Sequence, residues 1–163
     1  MASMQYDVKS QYATTSGLII PFRTRLKAFL FGSATTNPGI VGMYDNSAIS
    51  GTYTRVTTTA TVTAQNHGLI AGEYTFIDWS GGTNPTDNFY QVATVTDANT
   101  FTVTVTNSGD ASGNALVYNN VMVISKVTTA NDVYNIVPGE GILARQGIRI
   151  YLENSVTATI YYG

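Results

Sequence analysis

The chain contains no cysteine, one histidine, one tryptophan and four prolines. Without cysteine there is no disulfide, no thiol nucleophile and none of the soft ligands that structural zinc usually takes. The redox compartment stays open, because a cysteine-free chain folds equally well under reducing or oxidising conditions. Charge is also scarce: eight Lys and Arg stand against ten Asp and Glu, 11% of 163 residues, where about 25% is usual. A formal charge of −2 and a sequence pI near 5.1 leave the whole chain without the positive field that holds polyanions, so no nucleic-acid partner is expected. No apolar run approaches the ~18 residues of a bilayer helix. The longest, such as Val121 to Ile124, are strand-sized, so no membrane role is expected. The first residues lack the basic start and apolar core of a secretory signal, and synthesis and use without export is the expectation.

What remains is rich in β-formers. Hydrophobic residues make up 44% of the chain and aromatics 11%, and 25 residues are Thr. Such a composition can bury enough apolar surface to offset chain entropy, which excludes disorder. Period-two alternation dominates, most clearly in Phe101 to Thr106, where apolar side chains alternate with Thr. Ala60 to Ala64 and Ile148 to Glu153 read the same way, and Val156, Ala158, Ile160 and Tyr162 line one face of a last strand. Turn residues separate the runs: Asn37-Pro-Gly39, Ser80-Gly-Gly82, Asn107 to Asp110, Pro138-Gly139 and Glu153-Asn-Ser155. About a dozen short strands and no amphipathic helix predict an all-β protein, a sandwich or barrel.

Composition shifts along the chain. No Lys or Arg occurs between Arg55 and Lys126, and the Thr-rich strands concentrate in the same stretch. This predicts a discontinuous, jelly-roll-like β-sandwich made of residues 1–54 and 118–163, interrupted by a small β-barrel or β-sandwich of residues 55–117. Insertion at a surface turn is cheap because closure entropy grows only logarithmically with loop length.

Residues able to do chemistry are few and dispersed. His67, in Gln65-Asn-His-Gly-Leu69, reads as a turn residue whose imidazole caps the turn or packs beside Trp79, rather than a catalytic base or metal ligand. Asp78 and Asp87 lie in or beside a loop rich in oxygen acceptors, and the 82–88 segment raises the question of a calcium ion. Turn-forming hydrogen bonds are the stronger explanation of these residues. No phosphate-binding glycine loop and no nucleophile elbow occur, so no catalytic, cofactor or metal residue is predicted and no enzyme is expected. Two features instead suggest contact surfaces. Strict alternation through Arg23 to Phe31 puts Arg23, Arg25, Lys27, Phe29 and Phe31 on one face, suited to an acidic, partly apolar partner. The alternative is a sheet passing from a solvated edge into the core. The run Thr159 to Gly163 stays apolar and aromatic, so Tyr161 and Tyr162 are expected to pair into a sheet of the same subunit or of a neighbour. Trp79, with Tyr74, Phe89 and Tyr90, offers either an exposed aromatic platform for sugar or a small core.

The stretch from Thr61 to Glu73, then Gly81-Gly82, then Tyr90 to Val103, with His67-Gly-Leu69 and Asp97-Ala-Asn-Thr-Phe101 punctuating hairpins, resembles a small β module of tailed-bacteriophage virion proteins. The flanks, Arg25 to Gly32, Gly39 to Asn46, Val137-Pro-Gly-Glu-Gly-Ile142, Gly147 to Asn154 and Tyr161-Tyr-Gly163, are similar to short β-sandwich virion proteins that lack so large an insertion. The resemblance implies a capsid cement or head decoration protein on the capsid surface, made in the host bacterial cytoplasm. Its partners would be the major capsid protein and itself, as a homotrimer, with a dimer as the alternative. A tail or fibre component that binds host-surface glycan is the competing assignment.

Overall fold

The computed structural model describes residues 8–33, 38–81, 85–106, 109–128 and 132–163. Among them there are fifteen strands and no helix: β1 (Lys9–Ala13), β2 (Gly17–Ile20), β3 (Thr24–Ser33), β4 (Gly39–Asp45), β5 (Ile49–Val56), β6 (Thr59–Ala64), β7 (Tyr74–Ser80), β8 (Asn88–Asp97), β9 (Thr100–Thr104), β10 (Ala111–Tyr118), β11 (Val121–Val127), β12 (Val133–Ile136), β13 (Ile142–Ala144), β14 (Ile148–Leu152) and β15 (Val156–Tyr162). The fold is all-β, as the alternation predicts.

The chain divides into two compact units, one of residues 1–46 with 122–163 and one of residues 47–121. The first unit holds two sheets. One has the order β1-β15-β3-β12, with β13 also paired to β3; the other has the order β11-β4-β14-β2. Pairing between distant parts of the chain builds both: β1 and β3 flank β15, and β2 and β4 flank β14, all antiparallel. The core between the sheets takes Leu26, Phe29, Phe31 and Ile160 from one and Val41, Met43, Ile148 and Ile150 from the other, all buried. A tight turn carries the chain from β14 in one sheet to β15 in the other. The Val156 N–H donates to the Glu153 carbonyl at 3.1 Å, and Asn154 and Ser155 between them have φ of 52° and 61°, two left-handed positions in succession as in a type I′ turn.

The second unit is a closed barrel, β10-β5-β6-β9-β8-β7. Closure leaves no unpaired edge. Its interior places large side chains against small ones: Tyr53, Trp79, Tyr90 and Phe101 pack with Ala60, Ala64 and Ala115. Gly113 lies opposite Tyr53 in the ladder, and a Cβ there would come within 2.9 Å of the Tyr53 ring and 2.4 Å of the Ser80 carbonyl.

The junctions expected at 54/55 and 117/118 fall inside strands. β5 and β10 pair along their length, from Ile49 with Val117 to Arg55 with Ala111, so both belong wholly to the barrel. The loss of Lys and Arg marks where the surface changes, whereas unit membership follows strand pairing, which begins earlier in the chain.

Candidate functional site

Strand β3 does not alternate evenly. Thr24 and Leu26 are buried, and so, beyond Lys27, are Phe29 and Phe31. The inward set thus changes from even to odd positions. On the neighbouring strand Tyr161 pairs with Ala28 but Tyr162 pairs with Leu26, leaving Lys27 as the extra residue of a bulge. A one-residue slip turns every later side chain to the other face of the sheet. The expectation of one shared face is therefore corrected: Arg25 and Lys27 point away from the core, while Phe29 and Phe31 point into it. The rings of Phe29 and Phe31 stack at 4.6 Å, and Phe31 is 0% exposed, so neither aromatic is available to a partner.

The cations gather with residues that strict alternation does not select. Lys9, Arg23, Arg25 and Lys27, four of the eight Lys and Arg in the chain, line one groove of about 510 Å³ together with Phe22, Glu140 and Tyr162. Phe22 and Tyr162 lie 6.1 Å apart, tilted, and give the groove an aromatic wall. The turn between β12 and β13 positions two of the cations. Lys27 Nζ donates to the Glu140 carbonyl at 3.0 Å, and Arg25 Nη1 reaches the Glu140 and Gly141 carbonyls at 3.5 and 3.4 Å. Carbonyls orient these heads without cancelling their charge. Gly141 permits the close approach: its φ is +78°, and a Cβ there would sit 2.4 Å from the Leu26 carbonyl. Lys9 was out of reach of sequence reasoning, because β1 comes to β3 only through β15, whereas Phe22 directly precedes Arg23 in the chain.

The chain's final residues pair within their own unit. Tyr161 and Tyr162 lie in β15 between β1 and β3, and Gly163 exchanges both backbone hydrogen bonds with Arg25, at 3.1 and 3.2 Å. Tyr162 contributes to the groove, and Tyr161 lies half-buried on the opposite face of the strand.

Among the described residues, Trp79, His67 and Asp87 of the barrel lie in its core and its turns. Trp79 is 4% exposed, edge-on to Tyr53 at 4.8 Å and to Tyr90 at 5.7 Å. This corrects the exposed platform: the ring is core. His67 is also buried, and it packs on Phe101 at 5.0 Å rather than on Trp79. Its Nδ1 accepts the Leu69 N–H at 3.0 Å, and its Nε2 faces the Asp97 carbonyl at 3.1 Å. Those two contacts require a proton on Nε2 alone, and they occupy both ring nitrogens in holding the turn. Of the 82–88 loop, Gly82 to Asn84 lie outside the described residues. Asp87 Oδ1 accepts the Trp79 N–H at 2.8 Å. Burial raises the Asp87 pKa, the Trp79 N–H works against that, and the charge of Asp78 adds to it. Among the described residues no three His, Asp or Glu side chains gather closely enough to hold a metal ion. No protein-family model matches the chain, and no curated protein matches it.

Proposed function

We propose that the protein is a non-enzymatic structural component of a bacteriophage virion that fastens to assembled coat protein as a capsid cement or decoration protein, made in the host bacterial cytoplasm and carried on the capsid surface. The observation that supports it is the groove: half the chain's cations meet around Phe22 and Tyr162, a surface matched to an acidic, partly apolar segment of a partner. Charge is distributed to favour that contact. The sandwich unit holds seven of the eight Lys and Arg, whereas the barrel unit has only Arg55 against Glu73, Asp78, Asp87, Asp97 and Asp110. Electrostatic complementarity therefore steers the sandwich, not the barrel, toward an acidic surface. Repetition over a shell then multiplies a modest single contact. The competing fibre assignment calls for sugar stacking on Trp79, Tyr74, Phe89 and Tyr90, of which Trp79 and Tyr90 are buried and Tyr74 is exposed.

Cosedimentation of the purified chain with shells lacking it tests the reading. Stoichiometric binding is expected, weakening as salt screens the groove. Arg23→Glu, at an exposed position, should lower affinity by about tenfold or more, the scale of a rim charge reversal. Absence of the chain from purified virions, or binding indifferent to both salt and Arg23→Glu, overturns it.

A further inference from the structure

The outer face of the sheet β1-β15-β3-β12 is solvent-facing, yet it is not polar in the way a solvated sheet face ordinarily is. One row crosses all four strands: Tyr12 pairs with Thr159, Thr159 with Leu30, and Leu30 with Tyr134. Directly paired residues point to the same side. Tyr12 is 59% exposed, Tyr134 60% and Leu30 37%. In the next row Tyr161 and Ile136 flank Ala28, and Ile136 is 62% exposed. Neither row carries a charge, and β12 is an edge strand without the Lys or Pro that normally guards an edge.

Among the described residues, charge appears on this face only at its two ends, with opposite sign. Arg25 and Lys27 lie at one end. At the other, the Asp132 carboxylate lies over Gly32, its Oδ1 3.2 Å from where a Cβ of that glycine would be. Leu30 stands between them, three residues from Lys27 and two from Gly32. A twofold axis running across the strands at the Leu30 row superposes the row on its own copy and reverses the strand direction. Each Asp132 then meets the Arg25 and Lys27 end of the other chain, and uncharged Tyr, Leu and Thr meet themselves. An isologous interface requires that self-complementarity.

We infer that this face is the self-association surface of the protein, and that its occupant is a second copy packed sheet to sheet with the two β3 strands antiparallel. The inference takes up the self-association that the sequence resemblance implies and assigns it two copies rather than three. It stands or falls without any shell, because it concerns the purified chain.

Light scattering of the full chain across the micromolar range should give the mass of two chains. Leu30→Glu and Tyr134→Glu change exposed positions and bring like charges together across the axis, so each should raise the dissociation constant by about a hundredfold, as at an interface hot spot. Asp132→Lys and Lys27→Glu should each weaken the dimer by about tenfold, and together restore it. Within one chain those two residues lie at opposite ends of the face, so rescue reports a contact between copies. Unchanged far-UV circular dichroism verifies folding of each variant. A single-chain mass, a three-chain mass, or a dimer indifferent to Leu30→Glu overturns the inference. A monomer that loses shell binding on Leu30→Glu also overturns it, and assigns the face to coat protein. A dimer that binds no shell leaves the inference standing and removes the decoration reading instead.

Discussion

Arg55 is the single cation of the barrel unit, and it is buried. Its Nε donates to the Gly109 carbonyl at 2.7 Å, but its Nη1 is buried with no acceptor. A buried charge with so few partners forgoes much of its hydration without full compensation, and replacement by a well-packed apolar chain is often neutral or stabilising. Arg55→Met is accordingly expected to leave the barrel unchanged or to stabilise it by about 1–2 kcal/mol, measured by urea unfolding. A loss of several kcal/mol would show that the guanidinium holds the barrel together. Asp87 makes a second case. Its folded pKa is raised by burial, reinforced by Asp78, so the neutral form is the one the fold prefers. Stability from this residue is fully present below the ordinary Asp range and is lost as pH rises through the raised value. Asp87→Asn keeps an acceptor for the Trp79 N–H and removes the charge. Its melting temperature should exceed that of the parent slightly at neutral pH, the gap closing on acidification. A gap that widens toward low pH contradicts this assignment.

At the scale of the element, the bulge at Lys27 decides what β3 does. It lets one strand present Arg25 and Lys27 to the groove and then send Phe29 and Phe31 into the core, which a regular strand cannot do. Deleting Lys27 makes Tyr161–Ala28 and Tyr162–Leu26 successive pairs of a regular ladder, with Leu26, Phe29 and Phe31 all still on the core side. The deletion is therefore expected to keep cooperative unfolding of the sandwich and to remove one cation from the groove. Circular dichroism together with binding of an apolar dye checks this, and loss of cooperative unfolding would show that the bulge itself is needed for the fold.

The whole molecule is two cores on one chain. The barrel's entering and leaving strands are partners, Ile49 beside Val117, and in the sandwich β4 and β11, which bracket the insertion, are sheet neighbours. Each unit thus closes on itself where the chain passes between them. Replacing residues 47–121 by a short glycine-serine turn should leave a folded sandwich, and residues 47–121 alone should fold as a barrel. The single tryptophan lies in the barrel core, so its fluorescence follows that unit while far-UV circular dichroism follows both. In the full chain the two signals should unfold with separate midpoints wherever the unit stabilities differ. Unfolding of the excised sandwich would mean that it depends on the barrel.

Alternation, turn residues and the absence of helical periodicity determined an all-β fold, because a half-buried strand writes its face directly into the sequence at period two. The same local rule misassigned Phe29 and Phe31: a bulge is set by the partner strand, and nothing within Arg23 to Phe31 announces it. Trp79 was ambiguous for a related reason, since an aromatic cluster is identical in sequence whether it lines a core or a surface, and only barrel closure put it inside. Tertiary structure alone brought Lys9 beside Arg25, and set Asp132 opposite Lys27 across one sheet face. Charge acts through space, so its pattern exists only after distant strands have paired.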